Sequence, residues 1–163
     1  MKSSELRRVH VPLIVLGFMT FALFVSTTLA RHEDDAVHTA LARLQARTNS
    51  TLVAHWNART NVPDFLNSRN AEGRIPYTPS AAEKGNAVAI ARGFLDENRD
   101  LFQMTSVAEN LSLLRVEPDK QLGYAHVRLN QMYHGIPVFG KQLVVHIDKN
   151  DQIVAVNGEA RRQ

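Results

Sequence analysis

The chain has 163 residues, 44% of them hydrophobic and 21% charged, which fits one globular domain with additional segments and excludes a disordered chain. It contains no cysteine, so disulfide staples, thiolate zinc sites and cysteine nucleophiles are all excluded. The net charge of +3 owes much to Lys2, Arg7 and Arg8, set against Glu5 alone in the first thirty residues; the remainder, 16 basic and 15 acidic residues, offers no basic face with interleaved aromatics and no case for a nucleic-acid partner.

In chain order, MKSSELRRVHVPLIVLGFMTFALFVSTTLA comes first and reads as an export signal. A positive start is followed by the apolar run Leu13 to Val25, and then by Thr28-Leu29-Ala30, whose small residues suit cleavage after Ala30. The apolar run is shorter than the roughly 20 residues that span a bilayer; the other reading is an uncleaved anchor extended through Val9 and Leu29. Either way the chain from Arg31 is expected outside the cytoplasm: secreted, or in the periplasm or at the cell surface, with the membrane met only through this segment.

Residues 34–47 predict a short amphipathic helix, with Asp34 or Asp35 as cap and Val37, Leu41 and Leu44 on one stripe. The stretch from Thr48 to Ser80 is rich in Asn, Ser, Thr and Pro, and reads as an extended connector docked through Trp56, Phe65 and Leu66. Ser80-Ala-Ala-Glu83 matches a capping box and predicts a helix to about Asn98. Its core stripe joins Ile90, Phe94 and Leu101 to Val88, Ala91, Leu95 and Phe102. Gly85 and Gly93 inside it would each cost about 1 kcal/mol relative to Ala, a cost that close approach to a sheet could offset.

From Leu111 the period changes to two. LSLLRVE, GYAHVRLNQ, LVVHID and IVAVNG alternate, separated by Pro118-Asp119, a Gly/Pro-rich knot and Lys149-Asn150-Asp151. Strands this close in sequence pair as antiparallel hairpins. The predicted class is α+β: a four-stranded antiparallel meander with one helix packed on it, preceded by a short helix and the connector. The chain then divides into residues 1–30 as signal, 31–79 as an N-terminal segment and 80–163 as the folded domain.

Catalytic machinery is not apparent. His32 and His38 are six apart, about 120° out of phase on a helix, whereas a zincin pair is four apart. His126, His134 and His146 lie in or beside the hairpin. The first and last could meet near Asp148, but three histidines at no fixed spacing read more simply as solvent-facing rings bonded locally. Asp96, Glu97 and Asp100 end a helix and read as a solvated face. Asp148-Lys149-Asn150-Asp151 begins like a calcium loop but lacks its glycine and distal Glu, so it is a turn. No nucleophile motif or phosphate loop is present. Asn49-Ser50-Thr51 and Asn110-Leu111-Ser112 are glycosylation sequons, relevant only in a eukaryotic host.

In QMYHGIPVFGKQLVVHIDKN, Gly135 stands where the strand must reverse and tolerates the positive φ of a tight turn. Pro137 gives up a donor and belongs at an edge or beside a bulge; Gly140 suggests the bulge or a close backbone approach. Together with Gln131 these residues form a structural hairpin signature, with no catalytic or metal-ligating role.

The run His126-Val-Arg-Leu-Asn-Gln131-Met-Tyr133-His-Gly135-Ile-Pro137-Val-Phe-Gly140, then Leu143 to Asp148, then Ile153-Val-Ala-Val-Asn157-Gly158, resembles the fungalysin/thermolysin propeptide (FTP) domain. Ala91 to Leu95 with Leu101-Phe102 resembles its helix, and Val62 to Leu66 its preceding connector. The resemblance covers roughly residues 55–160. It implies the propeptide of a secreted thermolysin-type zinc metalloendopeptidase, acting as intramolecular chaperone and inhibitor. The implied partner is the cognate catalytic domain, in cis or in trans. No cofactor is implied in this chain; zinc and calcium would belong to the peptidase domain. The chain ends at Arg161-Arg162-Gln163, so it reads either as a fragment of a precursor or as a stand-alone exported binding or inhibitor module.

Overall fold

The computed structural model describes residues 36–160, all within the second of the two units into which the chain divides, 1–33 and 34–163. The signal-like segment, the expected cleavage after Ala30, His32 and the capping aspartates lie outside the described residues. Helix α1 covers residues 36–45. It is followed by β1 (Leu52–Trp56), β2 (Pro63–Ser68), α2 (Ala87–Glu97), α3 (Val107–Asn110), β3 (Leu111–Asp119), β4 (Tyr124–Tyr133), β5 (Ile136–Ile147) and β6 (Ile153–Glu159). Among the described residues no helix is long and apolar enough to cross a membrane.

The class is α+β, and the sheet has six strands rather than four, in the order β1-β2-β6-β5-β4-β3, all antiparallel. The four-stranded meander is there as β3–β6. The two further strands come from the stretch expected to be a connector, which folds into a hairpin and pairs β2 to β6, with Leu66 opposite Val156. Burial explains the extra pairing: Leu52, Val62 and Leu66 are all removed from solvent, and β6 would otherwise be an open edge.

Direct cross-strand partners share a face, so register sorts the sheet into rows. Ala54, Leu66, Val156, Val145, Val127 and Val116 run across all six strands on the inner face. There the row from Ala54 to Val127 meets α1 through Val37, Ala40 and Leu44, α2 through Ile90, Ala91, Phe94 and Leu95, and the following turn through Leu101 and Phe102, while Val116 at the sheet edge stays exposed. The opposite rows are mostly polar: His55, Phe65, Asn157, Val144, Arg128 and Arg115, and beside them Val53, Asn67, Ala155, His146, His126 and Glu117.

The start of α2 differs from the sequence reading. Glu83 does reach back to the Ser80 N–H (2.7 Å), but that turn stops at Gly85, whose φ is +74°. The α-helix begins one turn later, where the Asn86 side chain accepts from the Ala89 N–H. Gly85 is therefore outside the helix. Gly93 is inside it, and a Cβ there would lie 2.0 Å from the Tyr77 hydroxyl and 2.2 Å from Glu83 Oε1. The close approach is to this Tyr77–Glu83 pair, bonded at 2.8 Å, and not to the sheet. Burial and the adjacent carboxylate push the Tyr77 phenol well above its ordinary pKa, so it stays a donor.

A candidate docking surface

The β4–β5 hairpin closes through His134 and Gly135, both at positive φ (48° and 78°), between the partners Tyr133 and Ile136. A two-residue loop of this kind matches the right-handed twist of its strands. Met132 pairs with Pro137, and the next pair is Asn130 with Gln142. Across that interval Gln131 on β4 stands against the four residues 138–141 on β5, a long irregular bulge that contains Gly140 at φ 70°. Gln131 itself is buried, paired with Leu111 of β3 and in phase with the inward residues Val127 and Leu129. Of the signature residues, then, Gln131 lies on β4 opposite the bulge, Gly140 lies within it, Pro137 precedes it, and Gly135 sits at the tip.

The bulge and turn leave apolar side chains outside the core. Phe139 is 101% exposed, Ile136 69% and Tyr133 60%. Beside them lies an open groove of about 720 Å³, lined by Ala108, Asn110, Leu111, Met132, Tyr133 and Gly135 among others. The α3 side of the groove is rigid: Asn110 Oδ1 accepts from the Thr105 N–H, the Thr105 hydroxyl and the Ser106 N–H at 3.0–3.2 Å. Large apolar groups grouped at one end of a fold, next to a firm groove, are the usual physical mark of a protein-binding surface.

The polar face is cross-linked. Glu117 accepts from Arg128 (2.7 Å) and Arg115 (2.6 Å), and those two bonds hold its carboxyl below the ordinary range. Lys141 donates to Glu159, which is lowered for the same reason. His126 and His146 are cross-strand partners with their Nδ1 atoms 2.6 Å apart, and His146 Nε2 lies 2.5 Å from Asn157 Oδ1. Burial first, then His126 and Arg128, lower the His146 pKa against the opposing Asn157 bond.

The two histidines thus meet, but Asp148 is not their partner. It turns into its own loop, accepting from Arg74 Nε (2.8 Å) and from the Asn150 and Gln152 N–H groups. Burial raises its pKa, and these bonds outweigh burial to leave it lowered. Asn157, the third member of the ladder, was missed from sequence because it reaches His146 diagonally from a strand whose register no local pattern reveals. His134 packs on Tyr133 in the turn, and His38 on Trp56. The acidic helix end is a solvent-exposed face, as expected, and its side chains pair there with the end of the first helix: Glu97 with Arg47, and Asp100 with Arg43 (3.0 Å). Among the described residues no group of three or more His, Asp or Glu is placed to hold a metal ion.

The fold is therefore an α+β domain, a sheet covered on one face by helices and mostly polar on the other. Residues 109–160, from the end of α3 through β6, carry the Fungalysin/Thermolysin Propeptide Motif. The chain is 34% identical over 105 residues to bacillolysin of Bacillus subtilis (strain 168), covering 64% of this chain and 18% of that protein. It is 31% identical over 97 residues to thermolysin of Bacillus caldolyticus, covering 59% and 16% respectively. It thus spans less than a fifth of the length of these relatives. No solved structure matches.

Proposed function

We propose that this domain is the propeptide of a secreted thermolysin-type zinc metalloendopeptidase, assisting the folding of the catalytic domain and occluding it until released, in cis or in trans. The observation that carries the reading is the match of residues 109–160, which spans the hairpin, its bulge and the final strand. The zinc and calcium of such an enzyme would belong to its catalytic domain. This chain would contribute a preformed surface that lowers the folding barrier of its partner and covers its cleft.

The exposed tip is the contact expected to matter most. Phe139 is fully exposed and Ile136 and Tyr133 mostly so, and together they hold apolar surface in water. Burying them against a partner recovers that term, and anchors of this kind dominate interface energetics. Phe139→Ser should leave thermal unfolding within about 0.5 kcal/mol of wild type, as is usual at exposed positions. The same variant should weaken inhibition of a thermolysin-type catalytic domain by tenfold or more, about 1.4 kcal/mol. Unchanged inhibition would remove the tip from the interface.

A further inference from the structure

The ladder on the polar face has a proton arrangement that its geometry fixes. An amide oxygen only accepts, so His146 must carry its hydrogen on Nε2 to bond Asn157 Oδ1 at 2.5 Å. In neutral His146, Nδ1 is then a lone pair, and the contact with His126 Nδ1 at 2.6 Å requires His126 to donate there. One extra proton fits without disturbing this: it enters His126 Nε2, and the resulting imidazolium still donates to His146. A second proton has only His146 Nδ1 to occupy. That places two N–H groups and two positive charges face to face, and the bond between β4 and β5 is lost.

We propose that His126, His146 and Asn157 form an acid-sensitive latch across β4, β5 and β6. It is closed when the pair holds at most one extra proton and opens when both rings are charged. The surroundings disfavour a charged His146. On β3, Glu117 is the direct partner of His126, though its oxygens already accept from Arg115 and Arg128, and Asp119, held by its own turn, interacts electrostatically with His126. On β4, Tyr124 sets its ring against His126, and Arg128 opposes charge on His146. On β6, His146 meets Ala155 and Asn157. Asp148, further along β5, is occupied by Arg74, and Glu159, along β6, by Lys141, so neither carboxylate is available to compensate a charged His146.

The sign follows from proton linkage. A histidine whose pKa is depressed in the fold binds fewer protons folded than unfolded, so its contribution is complete above the unfolded value near 6.5 and is lost as pH falls below it. The folding equilibrium constant should drop by up to about tenfold per pH unit from this one group. The test is urea unfolding of the folded chain from pH 8 to 5, with nitrogen-15 NMR of the histidine rings.

Wild type should lose stability below about pH 6.5, with His146 in the Nε2–H form at neutral pH and gaining its second proton only below that value. His146→Gln should flatten the dependence. Asn157→Asp should also reduce it, because a carboxylate there holds a charged His146, an outcome that a merely structural role for Asn157 would not give. A His146 ring that titrates at or above 6.5 in wild type, or a His146→Gln protein with the wild-type pH slope, would overturn the latch; the ring titration needs no variant to fold.

Discussion

At the scale of single residues, the hairpin tip is governed by backbone conformation. Gly135 has φ 78° with open space around the position where a Cβ would sit, so the cost of a side chain there is strain and not collision. Gly135→Val should therefore lower stability by more than about 1 kcal/mol, read as a shift in urea midpoint. Wild-type melting would mean the turn is not left-handed. Such turn chemistry is legible in sequence because it is local: the residue type states the φ it can adopt. The Asn157–His146–His126 ladder was only half legible. Alternation put His126 and His146 on the non-core side of adjacent strands, but the partner on β6 depends on a register set by tertiary packing. Asp148 looked like a neighbour by sequence proximity, and Arg74, 74 residues away, claims it instead.

Among elements, β5 and β6 pack unusually closely at Gly158. A Cβ there would lie 2.0 Å from the Gln142 carbonyl oxygen, and the residue's φ is +136°. Neither the backbone of β5 nor that of β6 can yield without breaking the central ladder. Gly158→Ala should thus destabilise the domain by more than about 2 kcal/mol, and by more than Gly135→Ala, by the same urea measurement. Equal midpoints for the two variants would contradict this packing. The strands β3–β6 were readable because alternation and turn residues agreed. β1 and β2 were not: one is five residues, the other begins with Pro63, and polar residues surround both. Proline demotes a strand by removing a donor, but at the first position of β2 that loss is tolerated. The capping box was a true local contact that a glycine two residues later prevented from becoming a helix.

For the whole molecule, the six-stranded sheet has a consequence for where the folded unit begins. The inner row of side chains runs unbroken from Ala54 on β1 to Val116 on β3, and α1 contributes Val37, Ala40 and Leu44 to the same core. A fragment of residues 80–163 would expose Val156 and the free edge of β6. It should show a broad, low-cooperativity melt with poor amide dispersion by NMR, whereas residues 34–163 should unfold in one sharp transition. A cooperative melt of the short fragment would show that β1, β2 and α1 are accessories.

The propeptide account is tested most directly by a thermolysin-type catalytic domain, that of Bacillus subtilis bacillolysin for example, unfolded and returned to native buffer with increasing amounts of this chain. Active enzyme should be recovered in greater yield as the chain is added. Its hydrolysis of a peptide substrate should then be suppressed at about one chain per enzyme until the chain is cleaved, as mass action requires of a tight one-to-one complex. If neither the yield of active enzyme nor its steady-state rate changes at stoichiometric excess, the chain is not acting as a propeptide, and its exposed tip is made for some other partner.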